Sequence, residues 1–145
     1  MKLSKRCEYG IKAAVRLTQS RGTGYTQSRE IADAEVLPAK FLESILLALR
    51  SANILESKVG AGGGYRLARS ADSVRVADLI AALERPEAES DVGNASSQPR
   101  TGQMAIDLIN ERIEQSLMEA VGSLSLADLA AMADDRVGGL TGVGR

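Results

Sequence analysis

Few residues of this chain are placed to do chemistry. The stretch KVGAGGGYRL, Lys58 to Leu67, sets four glycines within five positions between two short apolar runs. Glycine loops of that density can cradle phosphates on their backbone amides. The phosphate-loop pattern G-x-x-x-x-G-K-[ST] fails here, because Tyr65 and Arg66 follow Gly64. No lysine then reaches a phosphate and no hydroxyl binds magnesium. The dinucleotide pattern G-x-G-x-x-G fails too. Gly60 and Gly62 fit it, but Tyr65 takes the sixth position and the loop opens a strand rather than a helix. The other candidate is the lone cysteine, Cys7. Lys5 and Arg6 beside it would lower its pKa and make a redox-sensitive thiol; a small buried residue is the plainer reading. Histidine is absent, which removes the commonest general base and metal ligand. One cysteine allows neither a disulfide within the chain nor a C-x-x-C metal knuckle. The residues therefore predict no enzyme, no metal and no cofactor.

The remaining reading is a loop valued for its shape, and its surroundings decide which shape. At 145 residues the chain fits one domain. Hydrophobic content is 44% but aromatics are only 3%, so Ala, Leu, Ile and Val must build the core, which suits helices. The start MKLSKRCEYG lacks the apolar centre of a signal peptide, and no run of about 18 apolar residues occurs. A cytoplasmic protein without a membrane partner is expected. Charge is unevenly placed. Residues 1–69 carry twelve basic and six acidic residues, a net +6; the remainder carries six and thirteen, a net −7. A basic half is drawn to a polyanion while an acidic half keeps clear of it.

The apolar spacing predicts a first helix over 3–20, broken by RGTG. Thr26 is placed to cap a short helix, QSREIADAE. Pro38 then suits the first turn of a longer helix whose Phe41, Leu42, Ile45, Leu46 and Leu49 share one side. Asn53 stands where helices end left-handed. A short helix, a tight turn and a longer helix over about 27–51 match a helix-turn-helix. ILESK and YRLAR follow as a hairpin, a wing over 54–69. In a hairpin, glycine permits positive φ and close approach of backbone to another surface. Lys58 at its base is placed to meet a phosphate or the minor groove. VADLIAALE predicts a helix ending near Glu84, and residues 85–102 a flexible loop. A long helix from 103 carries the stripe Ile106, Ile109, Ile113, Leu117 and Val121. A short capped helix starts at Ser125, and 134–145 is expected to be a flexible tail. The fold class is mainly α with a small β-hairpin: a winged helix-turn-helix domain over 1–84 plus a long C-terminal dimerisation helix within 103–133. The stripe has no obvious partner inside the chain, which argues for a homodimer.

Four segments, MKLSKRCEYGIKAAVRL, EIADAEVLPAKFLESILLALRSANILES, VGAGGGYRLAR and VRVADLIAALE, resemble the winged-helix transcription regulators of the IscR/NsrR/CymR type. The likeness is close over 1–84 and a matter of pattern beyond 103. It implies a homodimer on palindromic operators in double-stranded DNA and, most often, repression. Carried over by position, Pro38, Ala39, Lys40, Phe41, Glu43 and Ser44 open the recognition helix. Lys40 would contact a phosphate or guanine. Glu43 would accept from cytosine N4. Phe41 would pack on a sugar or thymine methyl, or else lie in the core. Lys2, Lys5, Arg6, Tyr9, Thr26, Ser28 and Arg50 are candidate DNA contacts, and Gly60, Gly62, Gly63 and Tyr65 shape the wing. Cluster-bearing members hold three cysteines in the loop after the VADLIAALE helix. Here that loop has neither cysteine nor histidine, so a cluster-free member is expected. Some such members answer to a metabolic enzyme. The alternative is thus an interaction protein whose DNA binding depends on a small-molecule or protein effector, or on Cys7 redox state.

Overall fold

The computed structural model describes residues 3–20, 24–84, 98 and 100–141. Lys2 and most of the expected loop 85–102 lie outside the described residues. Helix α1, Lys5–Thr18, starts where Ser4 Oγ accepts from the Cys7 amide at 3.1 Å, a cap worth about 1 kcal/mol. Its buried face is Cys7, Gly10, Ala13, Ala14 and Leu17. Gly10 lets α1 approach its neighbours, since a Cβ there would run into Leu83 and Ile45.

Helix α2 spans Ser28–Glu35 and is capped by Gln27, not Thr26. Thr26 is occupied elsewhere. Its amide donates to the Tyr65 carbonyl at 2.9 Å, and the Tyr65 amide donates back at 2.8 Å. The turn after α2 places Val36 left-handed, at φ 55° and ψ 57°. That conformation costs a branched residue about 1–2 kcal/mol. Leu37, buried next to it, holds the turn in place. Pro38 sits at the N-cap of helix α3, Ala39–Ser51, just ahead of its first turn. Leu42, Ile45, Leu46 and Leu49 face inward, and Asn53 ends the segment at φ 64°.

Strands β1, Leu55–Lys58, and β2, Gly64–Leu67, pair antiparallel, with Leu55 opposite Leu67 and Lys58 opposite Gly64. A 3-10 turn, Ala71–Ser73, leads to helix α4, Val76–Leu83. Helices α5, Thr101–Val121, and α6, Leu126–Thr141, complete the fold. The core is a single aliphatic cluster of Ile31, Leu42, Ile45, Leu46, Leu49, Ile54, Leu79 and Leu83, joined by Leu126 of α6.

Helix α6 runs further than the sequence suggests, so residues 134–141 are helical rather than a flexible tail. Its start is pinned twice. Ser125 Oγ accepts from the Asp128 amide at 2.9 Å, and the Leu126 amide donates to Val74 O at 2.7 Å. Further along, Gln19 Nε2 donates to Asp134 at 2.9 Å. These anchors outweigh Gly138 and Gly139, each of which costs a helix roughly 1 kcal/mol.

Candidate nucleic-acid interface

Helix α3 has two faces. Its buried residues hold it to the core, and its outward face shows Ala39, Lys40, Phe41, Glu43, Ser44, Leu47 and Arg50. Phe41 is 61% exposed, so the core reading of that ring falls. Glu43 accepts a hydrogen bond from Ser28 Oγ at 2.8 Å, which ties α3 to the start of α2. Ser44 Oγ donates to Phe41 O at 3.2 Å and accepts from Arg6 at 3.4 Å. The first turn of α1 is therefore fixed beside the first turns of α3. Lys5 is exposed there and loosely paired with Glu8 at 3.7 Å, an interaction that holds little. Tyr9 is half-buried and packs on the core.

The wing carries a tight turn. Gly63 N donates to Gly60 O at 2.9 Å, and Gly62 takes φ 75°, as the third residue of a type II turn must. Gly64, not among the wing-shaping glycines expected from the sequence, has a role of its own. It adopts φ 135°, and a Cβ on it would collide with the Thr26 carbonyl. It lets β2 lie against the residues before α2. Tyr65 is half-buried; burial and then the Glu43 charge push its phenol pKa up, with Arg50 opposing. Glu43 and Arg50 of α3 are thus the charges that act on this residue of the wing. On the other side of the strand, the Arg66 guanidinium stacks 4.4 Å from the Tyr25 ring centre. Arg66 Nε donates to Glu56 at 2.6 Å, and Lys58 Nζ lies 5.9 Å from the same ring.

Between the start of α2 and the wing lies an open cleft of about 380 Å³, with Gln27, Ser28 and Arg29 facing Gly60, Gly63 and Gly64. A helix N-terminus, a cation and bare backbone suit a phosphate. Thr26 does not line this cleft; its hydroxyl lies 3.4 Å from that of Ser20. Gln27 and Arg29 stand where the sequence pointed to Thr26. The signal for them was the capping pattern Q-x-x-E, which also fixes where α2 begins.

Residues 3–132 match the model of the Rrf2 family, described as iron-dependent transcriptional regulators. The chain belongs to the Rrf2 family. It is 31% identical over 134 residues to the HTH-type transcriptional regulator CymR of Bacillus subtilis, covering 92% of this chain and 93% of that protein. It is 33% identical over 112 residues to IscR of Cereibacter sphaeroides, covering 76% and 72%. The solved structure of CymR, titled the global cysteine regulator of B. subtilis, superposes with TM-score 0.68 at 28% identity over 91% of this chain and 98% of that one. T. potens IscR does so with TM-score 0.70 at 29% identity over 94% and 90%. The chain is a winged-helix, DNA-binding transcription regulator and not an enzyme.

The family's iron association meets a donor set that does not fit it. Among the described residues no three His, Cys, Asp or Glu side chains gather to hold a metal, and the whole chain has one cysteine and no histidine. That cysteine has no exposed surface. Burial, then Glu84 and Glu8, push the Cys7 thiol up from 9.0 to about 12. The neighbouring cations do not lower it, and its burial favours the plainer of the two readings, a small core residue.

The Rrf2 chain also leaves α5 uncovered. None of its residues is buried. Ile106, Ile109 and Ile113 are 50%, 55% and 40% exposed, while Leu117 and Val121 lean on the core. Among the described residues no helix is long and apolar enough to cross a membrane.

Proposed function

We propose that this Rrf2-family member binds a two-fold-symmetric operator as a homodimer, represses transcription from it, and carries no iron–sulfur cluster. One observation carries the reading: the outward first turns of α3 and the wing are joined through the start of α2, by the Ser28–Glu43 hydrogen bond and the Thr26–Tyr65 backbone pair. Lys40, Phe41 and Ser44 reach base edges, Lys5, Arg6 and Arg29 meet phosphates, and the wing follows the neighbouring backbone. The exposed isoleucines of α5 supply the dimer contact, since stripes of that size rarely stay wet. Two heads then read two half-sites, which makes the operator palindromic. A dimer covering a promoter excludes polymerase, hence repression. Such a protein works in the cytoplasm, with the DNA. The missing thiolates support the cluster-free state.

The test is a fluorescence-anisotropy titration on operator DNA over a range of salt. Affinity falls steeply as salt rises. Lys40→Ala and Lys5→Ala each weaken binding and make the log–log salt slope shallower by about one. Unchanged slopes in both variants would place the DNA on another face.

A further inference from the structure

A second concavity, of about 430 Å³, lies between the last turn of α1, the residues before α2, strand β2 and the 3-10 turn. Its size suits a small molecule. The hydroxyl residues Thr18, Ser20, Thr26 and Ser70 line it together with the cations Arg66 and Arg69, and no carboxylate is among the described residues that do so. Arg69 Nη1 donates to Ser73 O at 2.8 Å, which orients a guanidinium that carries five N–H donors. Arg66 is held from outside the cavity by Glu56 and by the Tyr25 ring. Glu56 offsets the charge of Arg66, so Arg69 supplies the positive charge of the wall.

This pocket is not on the base-reading face. The side chain of α1 that bonds the outward face of α3 is Arg6, whereas the pocket takes Thr18. Twelve helical residues separate them, about 18 Å. Yet the pocket touches the wing's foundations. Thr26 lines it and makes both backbone bonds to Tyr65, and Arg66 comes from the same strand.

We infer that this pocket binds a small organic anion bearing a phosphate or carboxylate, and that its occupancy braces the wing and raises DNA affinity. The coupling half rests on the DNA-binding reading; the binding half does not. A ligand held by Arg69 and the hydroxyls joins α1, the segment before α2 and the strand, and so favours the arrangement in which the wing is docked. By linkage, DNA raises the affinity for the anion by the same factor.

The experiment uses the full chain, with inorganic phosphate, glycerol 3-phosphate and succinate as probes at constant ionic strength set by chloride. Backbone amide shifts are followed by NMR. At least one probe gives saturable shifts at Ser20, Thr26, Arg69 and Ser70, and the responding arm assigns the phosphate or carboxylate head. Arg69→Ala weakens it about tenfold, as loss of a charge-assisted bond does. Ser70→Asp does likewise while keeping a good cap on the 3-10 turn, so misfolding of the first variant would not mask the answer. Lys40→Ala binds the probe normally. The same probe tightens operator binding by the wild-type chain and not by Ser70→Asp. Shifts at Ser28 and Gly60 instead would show a DNA-phosphate mimic on the reading face and overturn the proposal. So would an absence of saturation for all three probes, indifference to both pocket variants, or an unchanged operator affinity. A saturated pocket in a protein that binds no DNA would sink the DNA reading and leave the anion site standing.

Discussion

In the sequence Cys7 lies beside two cations; in the fold its thiol is sealed in the core near Glu84 and Glu8. The thiolate is the form that reacts, and burial disfavours it. Native Cys7 is expected to resist iodoacetamide at pH 8 and to react once the chain is unfolded, as read by mass spectrometry. The raised pKa also fixes a pH window. The protonated thiol contributes its full stability below 9.0 and loses it as pH rises towards about 12. The urea midpoint of the wild-type chain therefore falls across that range more than that of Cys7→Ala. Glu43 poses the opposite case, an exposed carboxylate already engaged by Ser28. The bond from Ser28 goes to Oε2, which orients the carboxylate and leaves Oε1 to accept from a cytosine. Glu43→Ala is predicted to relax base choice at one position, where a good side-chain contact discriminates by about 1–3 kcal/mol, and to change overall affinity less. Selection from random DNA reads both. Neither partner could be seen in the sequence, because Glu84 and Ser28 lie 77 and 15 positions away.

Among the elements, the helix-turn-helix and the wing were legible because their signals are local. Leu42, Ile45, Leu46 and Leu49 repeat at helical spacing, and a glycine cluster between two short apolar runs marks a hairpin. The cap of α2 and the length of α6 were not legible. Thr26 is a good cap by type, but pairing with Tyr65, 39 positions on, claims its backbone. The Gly138–Gly139 pair speaks against a helix, but contacts at Val74 and Gln19 hold α6 in place. Gly64 shows the same non-local logic, since its need for no side chain comes from Thr26. This separates two glycines of one loop. Gly62→Ala meets open space and bears only the strain of positive φ, roughly 1–2 kcal/mol. Gly64→Ala adds a collision with backbone and is expected to cost more and to unpair the wing. Urea midpoints of the two variants, with amide exchange at Tyr65, check the order.

At the scale of the molecule, the first 69 residues bear +6 and the rest −7. The basic part holds the proposed reading surface, and the acidic part holds α5 and α6. This polarity orients the chain on a polyanion. The dimer proposed through α5 rests on a stripe too long for the domain to cover, and the structure leaves its isoleucines exposed. Ile109→Glu is predicted to give a monomer by sedimentation, with the winged domain still folded and operator affinity lower by at least about tenfold, since one head loses the tether to the other. A dimer that persists would move the interface elsewhere. The claim on which the rest depends is that α3 and the wing read a symmetric sequence. It is tested most directly by mixing the purified chain with sheared genomic DNA of its source, recovering bound fragments and sequencing them. The account predicts one shared, two-fold-symmetric site. Fragments enriched without any common sequence would contradict it.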